Sequence, residues 1–296
     1  MEFGTQDGLI FFDAERKNKE ITGVIRRQAQ KVMEECMVSG KFCAAKVLKK
    51  NKIPALYRSH QGPRQEKLDN LREFLGELGL GLPGGDDPSP KDFQGILSQT
   101  FGRPDASVIQ TVILRSMNRA AYTPENDGHF GLNYAEYTHF TSPIRRYPDL
   151  LVHRAIRYLI RKKLKALYTH IVAGAPILSQ AQIYPYDEKS LATAGEQCSM
   201  TERRADEATR DVVNWLKCEF LVSRVGEEFS GVVVSVTGFG LFVQLSEMYI
   251  EGLVHITGLP KDYYHHEVAH HRLVGERTGR IFRLGDKLRV KVARVD

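Results

Sequence analysis

The feature that most constrains the fold is a change of hydrophobic period near Val222. Before this residue apolar side chains recur at helical spacing, and after it they alternate with polar ones in short runs. These runs predict five strands, which are EEFSGVVVSV, GLFVQLS, EGLVHIT, GRIFRLGD and KLRVKVARV. Five short strands in about 75 residues are typical of a small closed barrel. The sequence therefore predicts an α+β protein with domains at residues 1–222 and 223–296.

The first predicted domain is mainly helical. Its periodicity, Ser89-Pro90 start signal and turn residues predict helices over residues 21–51, 65–80, from 90, 104–122, 148–167 and 187–221. Residues 123–146 lack this period and are rich in Gly, His, Tyr and Asn. An irregular stretch of that length is uncommon inside a compact domain. It is therefore either functional or a wrongly assigned element.

Composition bounds the class of protein. Hydrophobic residues make up 42% of the chain, and no apolar run approaches the roughly 20 residues needed to cross a bilayer. The N-terminus lacks the basic start and small-residue cleavage site of a signal peptide. We therefore expect a cytoplasmic protein without a membrane partner. The four widely spaced cysteines suggest neither zinc nor disulfides, and we expect buried, reduced thiols.

Charge is concentrated in one predicted helix. The formal net charge is +6, which admits a polyanionic partner without requiring one. Residues 145–165 contain one acid, Asp149, against eight bases: Arg145, Arg146, Arg154, Arg157, Arg161, Lys162, Lys163 and Lys165. A solvated helix face usually interleaves both signs. This run therefore favours a polyanion over solvent alone.

The C-terminal strands resemble a known RNA-binding barrel. GVVVSVTGFGLFVQL at residues 231–245 and EGLVHI at 251–256 are similar to the S-one-type domain, a five-stranded OB fold first known from a ribosomal small-subunit protein. Phe239, Phe242 and His255 match its nucleic-acid face. Exposed rings stack on bases, although the two phenylalanines could instead be ordinary core residues. Basic residues on the last strands can neutralise phosphates: Arg283, Lys287, Arg289 and Lys291.

The irregular stretch carries a second resemblance. GHFGLNYAEYTHFTSPIRRYPDLLVHR at residues 128–154, together with YRSH at 57–60 and ERRADEATRDV at 202–212, resembles the RNB exoribonucleases, the ribonuclease II and R family. The resemblance implies that residues 1–222 are the C-terminal part of an RNB catalytic domain. It also implies processive, magnesium-dependent 3′→5′ hydrolysis of RNA to nucleoside 5′-monophosphates. Arg145 matches the arginine that clamps the scissile phosphate, and is the expected catalytic residue.

The same resemblance suggests RNA-binding residues. Contacts to the terminal nucleotides are expected from Tyr137, His139, Thr141, Ser142, Arg146 and Tyr147. Glu34 and Glu35 match a glutamate pair that contacts ribose, and a 2′-hydroxyl distinguishes RNA from DNA. The alternatives are a solvated helix face for the glutamates and an ion pair with Asp149 for the arginines. His153 and Arg154 are as consistent with structure as with function.

The family's magnesium-binding aspartate cluster has no equivalent in this sequence. The only adjacent aspartates are Asp86 and Asp87, in a GGDDPSP turn. We therefore expect no specific metal binding and no hydrolysis by this chain alone, with single-stranded RNA 3′ ends as its ligand. Two hypotheses remain: an incomplete exoribonuclease whose partner is the N-terminal half of the catalytic domain, or a non-catalytic RNA-binding fragment.

Overall fold

The computed structural model describes residues 8–12, 18–23, 27–103, 105–164, 182, 184–246, 248–268 and 270–295. Its helices are α1 (Gln28–Lys50), α2 (Gln65–Glu77), α3 (Pro90–Gln99), α4 (Ala106–Ser116), α5 (Tyr147–Leu164) and α6 (Glu188–Val222). Residues Phe130–Leu132 and Ile256–Gly258 form single 3-10 turns. Helices and antiparallel sheets together confirm the α+β class.

Two two-stranded antiparallel sheets lie before and among the helices. Strands β1 (Gly8–Phe12) and β2 (Asn18–Gly23) pair antiparallel, as do β3 (Tyr57–Ser59) and β4 (Ala121–Thr123). After α6 follow β5 (Glu228–Thr237), β6 (Gly240–Leu245), β7 (Glu251–His255), β8 (Tyr264–Glu267), β9 (Arg272–Gly275), β10 (Ile281–Arg283) and β11 (Lys287–Lys291). They form a four-stranded sheet in the order β11-β5-β6-β7 and a three-stranded sheet in the order β10-β9-β8.

The strand prediction for the C-terminal region is only partly confirmed. All five predicted strands exist, but the described residues after Val222 hold seven, in two sheets. Strands β8 and β9 were missed because YHHE and RLVG are short and carry histidine and arginine among the few apolar residues. Pairing across the hairpin, and not side-chain alternation, makes them strands.

Two predicted helices are shorter than their periodicity suggested. Residues 21–23 belong to β2, where Ile21 pairs with Ile10 and is buried with the strand β6 residue Leu245. The predicted helix over 104–122 ends at Ser116, and Tyr122 pairs instead with Arg58. Leu245, which packs with Ile21, and Arg58, which pairs with Tyr122, lie far from them in the sequence, so local spacing could not reveal these contacts. Pro104 and residues 165–167 of the predicted helices lie outside the described residues.

The helix-start prediction at Ser89 is confirmed in detail. The carboxylate of Asp92 accepts hydrogen bonds from the backbone N–H and the hydroxyl of Ser89, both at 2.7 Å. Pro90 occupies the first turn of α3, where a missing N–H costs nothing. This capping box fixes where the chain turns from the Gly/Asp loop into α3.

The chain groups into two compact units. One comprises residues 26–62 and 118–206, and the other residues 1–25, 63–117 and 207–296. In the first, α1 and α5 pack through a core that also takes in the connection before α6. That core contains Ala44, Leu48, Ile53, Ala55, Val152, Ala155, Leu159 and Tyr184. A second cluster of Leu56, Leu151 and Leu191 attaches α6 to this unit.

In the other unit α2 and α4 contact the C-terminal strand region, and α3 packs on α4. Arg115 at the end of α4 donates to the carbonyl oxygen of Val234 at 2.9 Å. The ring of Phe74 on α2 meets that of His271 edge-on, with centroids 5.8 Å apart. The sheets enclose their own core of Val233, Val236, Leu241, Val243, Tyr264, Leu273 and Phe282. The C-terminal strands and this helical segment therefore belong to one compact unit.

Two expectations from composition can be compared with the fold. Within the described ranges we find no helix of the length and apolarity that membrane crossing requires. The expectation of buried thiols is wrong: Cys36 and Cys43 are exposed, and Cys198 and Cys218 are half-buried. The first two lie on the part of α1 whose side chains face solvent in this structure.

Candidate functional site

The irregular stretch is held in place by two neutral histidines. His60, just after β3, accepts from the backbone N–H of Gly131 through Nδ1 at 2.9 Å, so Nε2 carries the proton and donates to Asn118 O at 2.7 Å. His129 accepts from Leu132 N through Nδ1. Burial lowers both pKa values, that of His129 to about 4. The stretch is therefore ordered by side chains in place of a helical period.

Burial and three nearby bases act together on His139. Its Nδ1 lies 2.7 Å from the Tyr122 hydroxyl, which stands 3.5 Å from a carboxylate oxygen of Glu202. Burial, with the positive charges of Arg146, Arg58 and Lys41, lowers the pKa of His139 to about 2.

A neutral imidazole that accepts from Tyr122 at Nδ1 carries its proton on Nε2. The Tyr122 hydroxyl has one proton, and His139 Nδ1 at 2.7 Å is a nearer acceptor for it than the Glu202 oxygen at 3.5 Å, which leaves His139 an N–H donor at Nε2. Tyr137, the neighbouring candidate, is 4% exposed and packs edge-on against His129 with centroids 5.0 Å apart. The Tyr137 ring therefore packs against neighbouring side chains of the site and offers little surface to a ligand.

A salt bridge between β3 and α6 supports Tyr122. Arg58 lies 2.7 Å from Glu202, and its guanidinium carbon stands 4.5 Å from the centroid of the Tyr122 ring. Sequence reasoning assigned no role to these three residues, although Arg58 lies in YRSH and Glu202 begins ERRADEATRDV. Their membership in those motifs was the available signal. They fix the hydroxyl that sets the tautomer of His139.

The two adjacent arginines have different environments. Arg146 donates to Asp149 at 2.8 Å, and Asp149, with no exposed surface, also accepts from the backbone N–H of Ser142 at 2.8 Å. Arg145 is exposed and forms no ion pair with any residue that the structure describes. The open alternative of an ion pair with Asp149 thus applies to Arg146. Arg145 remains available to an external anion.

The remaining candidates of this stretch flank Arg145. Thr141 and Ser142 are half-buried, while Tyr147 at the start of α5 is 44% exposed. Ile144, directly before Arg145, is fully exposed. His153 donates from Nε2 to the carbonyl oxygen of Phe140 at 2.9 Å and stacks on the Phe140 ring. That contact favours the structural reading of His153.

Glu34 and Glu35 lie on the exposed N-terminal half of α1. Lys41 lies about two turns, or roughly 10 Å, further along the helix and is close to the residues of the candidate site. Its Nζ stands 6.0 Å from the centroid of the Tyr137 ring, and burial with the charges of Arg146 and Arg145 lowers its pKa. The structure thus adds Lys41 to the positive site and leaves the glutamates in solvent.

In the other unit, Phe239, Phe242 and His255 lie together. Gly240 pairs with His255 across β6 and β7, and the rings of Phe239 and Phe242 meet edge-on with centroids 6.1 Å apart. Phe239 is 51% exposed and Phe242 half-buried, while His255 is exposed. The reading of Phe239 as a core residue is therefore wrong. A half-exposed ring beside a second ring offers a stacking surface.

The predicted phosphate contacts near this face are partly engaged. Arg289 pairs with Glu228 at 3.1 Å and Arg283 with Asp286 at 3.7 Å, all four on the surface. Such exposed pairs contribute about 0–1 kcal/mol and exchange readily for another anion. Lys287 and Lys291 are exposed on β11.

The first unit thus presents hydrogen-bond donors and positive charge, and the second presents exposed rings. Asp149 and Glu202, the carboxylates of the first site, are already paired with arginines. Across the described residues, no three His, Cys, Asp or Glu side chains come together as a metal site. These residues therefore do not fit Mg²⁺, whereas the donors fit a phosphate.

Comparison with known proteins agrees with this geometry. A family model described as the RNB domain matches residues 1–162, and one described as the S1 RNA binding domain matches residues 223–296. Fold and site define a protein with an RNB portion followed by an S1 RNA-binding domain. The chain belongs to the RNB family of exoribonucleases.

Among individual proteins the similarity is to ribonuclease R. The chain is 50% identical over 296 residues to that of Vibrio cholerae and 46% identical to that of Escherichia coli, spanning 35% of each. The structure of Mycoplasma genitalium RNase R in complex with ribose methylated single-stranded RNA matches with a TM-score of 0.86 at 27% identity, over 100% of this chain and 44% of that one. The chain thus spans about a third of the length of its curated relatives.

Proposed function

We propose that this chain holds the 3′ end of single-stranded RNA for a magnesium-dependent 3′→5′ exoribonuclease that releases nucleoside 5′-monophosphates, in the cytoplasm. The observation that carries the proposal is the exposed guanidinium of Arg145, which forms no ion pair with the residues that the structure describes and lies next to the half-buried Ser142 and Arg146. A guanidinium stays charged at every physiological pH and binds phosphate oxygens through two parallel N–H donors. In this proposal Arg145 clamps the scissile phosphate.

The other candidates have supporting roles in the proposal. Arg146, paired with Asp149, stiffens the segment that carries Arg145. His139, Thr141, Ser142 and Tyr147 contact the terminal nucleotides, Tyr137 supports them, and Glu34 and Glu35 accept from ribose. Residues 223–296 act as a separate RNA-binding OB-fold domain, in which Phe239, Phe242 and His255 stack on bases upstream of the reacting end. We propose the functional boundary between residues 222 and 223.

Hydrolysis needs an attacking water, which two metal ions supply when they are bound. Because the described residues offer no donor set for Mg²⁺, we propose that the metal ligands come from a companion segment, the N-terminal half of the catalytic domain. By itself the chain then binds RNA and cuts it negligibly. The same observation favours a second candidate, a non-catalytic RNA-binding fragment.

The test combines binding and degradation of a 5′-labelled single-stranded RNA. The proposal expects binding that Arg145→Ala and Phe239→Ala each weaken, without stepwise shortening in Mg²⁺. Loss of one stacking ring costs about 1–3 kcal/mol, which is roughly 5- to 100-fold in affinity. Val268→Ala, at an apolar side chain that is 65% exposed, is the matched control and should bind as the wild type does.

The outcomes separate the candidates. Shortening that appears when the N-terminal half of a ribonuclease R catalytic domain is supplied supports the incomplete enzyme. Binding without shortening under that condition favours the RNA-binding fragment. Absence of RNA binding would contradict both, and shortening by the chain alone would mean that it carries its own metal ligands.

A further inference from the structure

The start of strand β8 exposes a second pair of rings in the C-terminal region. Tyr264 is 7% exposed and belongs to the core of the strands, whereas Tyr263 is 68% exposed and His265 is exposed as well. This alternation places Tyr263 and His265 on the outer face of the three-stranded sheet. Their rings meet edge-on with centroids 5.3 Å apart. The pair shares no residue with that of Phe239 and Phe242.

The backbone of Tyr263 is held from two sides. Its N–H donates to Oδ1 of Asp262 at 2.8 Å, and its carbonyl oxygen accepts from the N–H of Glu276 at 2.8 Å. The Asp262 side chain has no exposed surface and also accepts from the N–H groups of Arg277 and Thr278, at 3.0 and 2.9 Å. A ligand that contacts the Tyr263 ring therefore does not have to order the backbone that carries it, which lowers the cost of binding.

Positive charge accompanies these rings. Arg277 Nε lies 3.8 Å from the same Asp262 oxygen that accepts from the Tyr263 N–H, and the Arg277 side chain is 74% exposed. Among the described residues of 261–280, one exposed acid, Glu276, stands against three exposed bases, which are Lys261, Arg277 and Arg280. The Glu276 carboxylate lies 3.5 Å from His265 Nε2. Exposed rings among exposed bases fit single-stranded nucleic acid, which offers both base faces and phosphates.

The second ring pair lies near the first. A Cβ added to Gly238 would be 3.9 Å from the Cβ of His266, so the turn between β5 and β6 approaches β8. Phe239 follows Gly238, and His265 precedes His266. Since consecutive Cα atoms are about 3.8 Å apart, the Cα atoms of Phe239 and His265 lie within about 15 Å of each other. One RNA strand can therefore contact both pairs.

We propose that Tyr263 and His265 form a second base-stacking site for single-stranded RNA, with Arg277 as its phosphate contact. The inference rests on the proposed function, because it extends the RNA path of residues 223–296 from Phe239 onto the outer face of β8. Stacking on an aromatic ring tolerates every base. The site therefore adds affinity and length of bound RNA without adding sequence preference.

The test measures binding of the full chain to a labelled single-stranded RNA and to a series in which one nucleotide at a time is abasic. Tyr263→Ala should weaken binding of the intact RNA about 5- to 100-fold. In the wild type an abasic nucleotide at the Tyr263 position should cost a similar factor, and in Tyr263→Ala that cost should disappear while the cost at the Phe239 position remains. The abasic series probes the same contact in the unaltered protein, so it does not depend on how the variant folds.

Charge is tested separately. Arg277→Gln should reduce the slope of log affinity against log salt concentration by about 0.7, the value for one phosphate contact on a single strand. Phe101→Ala is the matched control, because Phe101 is a 91% exposed ring in the same unit, on the loop between α3 and α4. It should leave RNA affinity unchanged.

Two results would overturn the inference and leave the proposed function standing, provided that Phe239→Ala weakens binding. One is wild-type RNA affinity of Tyr263→Ala, in which case a protein partner becomes the better occupant of this surface. The other is an abasic series whose costs are the same in Tyr263→Ala as in the wild type. A wild-type chain that binds no RNA would contradict the proposed function, and this inference with it.

Discussion

Asp149 joins the segment that carries Arg145 to the start of α5, and its removal should destabilise the first unit. The carboxylate has no exposed surface and accepts from Ser142 N and from Arg146, each at 2.8 Å. The Arg146 side chain is 21% exposed, so the pair is largely removed from solvent. Asp149→Ala leaves both donors without their acceptor and one positive charge without its partner.

The expected loss of unfolding free energy in Asp149→Ala follows from two opposed effects. Removing one member of a buried ion pair costs about 3–5 kcal/mol, because the other charge stays buried. The second carboxylate oxygen of Asp149 has no hydrogen-bond partner among the described residues, and its deletion returns about 1 kcal/mol. The expected loss is therefore about 2–4 kcal/mol, or roughly 4–16 °C in Tm at 2–4 °C per kcal/mol. Asp149→Asn, whose amide oxygen still accepts, should lose about half as much.

The assay is urea and thermal unfolding followed by circular dichroism. Asp127→Ala, at an exposed aspartate of the same unit, should stay within about 0.5 kcal/mol of the wild type. Combining Arg146→Met with Asp149→Leu should recover part of the loss, since an apolar pair of similar volume replaces the buried charges. If Asp149→Ala unfolds at the same urea concentration and temperature as the wild type, the reasoning is refuted, because the Arg146–Asp149 pair is then solvated and weak.

Three further predictions concern other parts of the chain. Gly240→Ala should lower the free energy of unfolding in urea by more than about 2 kcal/mol, because the φ angle of Gly240 is +155° and an added Cβ would overlap the carbonyl oxygen of Val254 on β7. Gly252→Ala, where an added Cβ would have nothing within 4 Å, should be nearly neutral. The free energy of unfolding should fall as the pH drops below 6.5. The reason is that His139 takes up a proton there in the unfolded chain but not in the folded one, where its pKa is about 2. A His139→Gln variant whose unfolding free energy depends on pH as that of the wild type does would contradict this. Glu77→Gln should change Tm little, because the Glu77 side chain is 39% exposed and water screens its pairs with the half-buried His270 and Arg272. A shift above about 4 °C would count against that.

Much of the fold could be read from local signals. The change of period near Val222, the Ser89-Pro90 start of α3 and the turn residues between strands are written in neighbouring residues, and they predicted the helices and five of the strands. Strands β1 to β4 and hairpin β8–β9 were missed. Their pairing partners, and not their own composition, make them strands.

The sequence by itself determined the class of protein, the segment that carries the candidate site and the aromatic pair Phe239 and Phe242, because these depend on residue types in a fixed order. Only the tertiary structure decided which of two adjacent arginines pairs with Asp149. Arg146 is within reach of Asp149 because the turn after Ser142 leads into α5 there, whereas Arg145 points away into solvent. Likewise, residues from β3, β4 and α6 set the tautomer of His139. Charge and hydrogen bonding depend on distances that folding creates between residues remote in sequence.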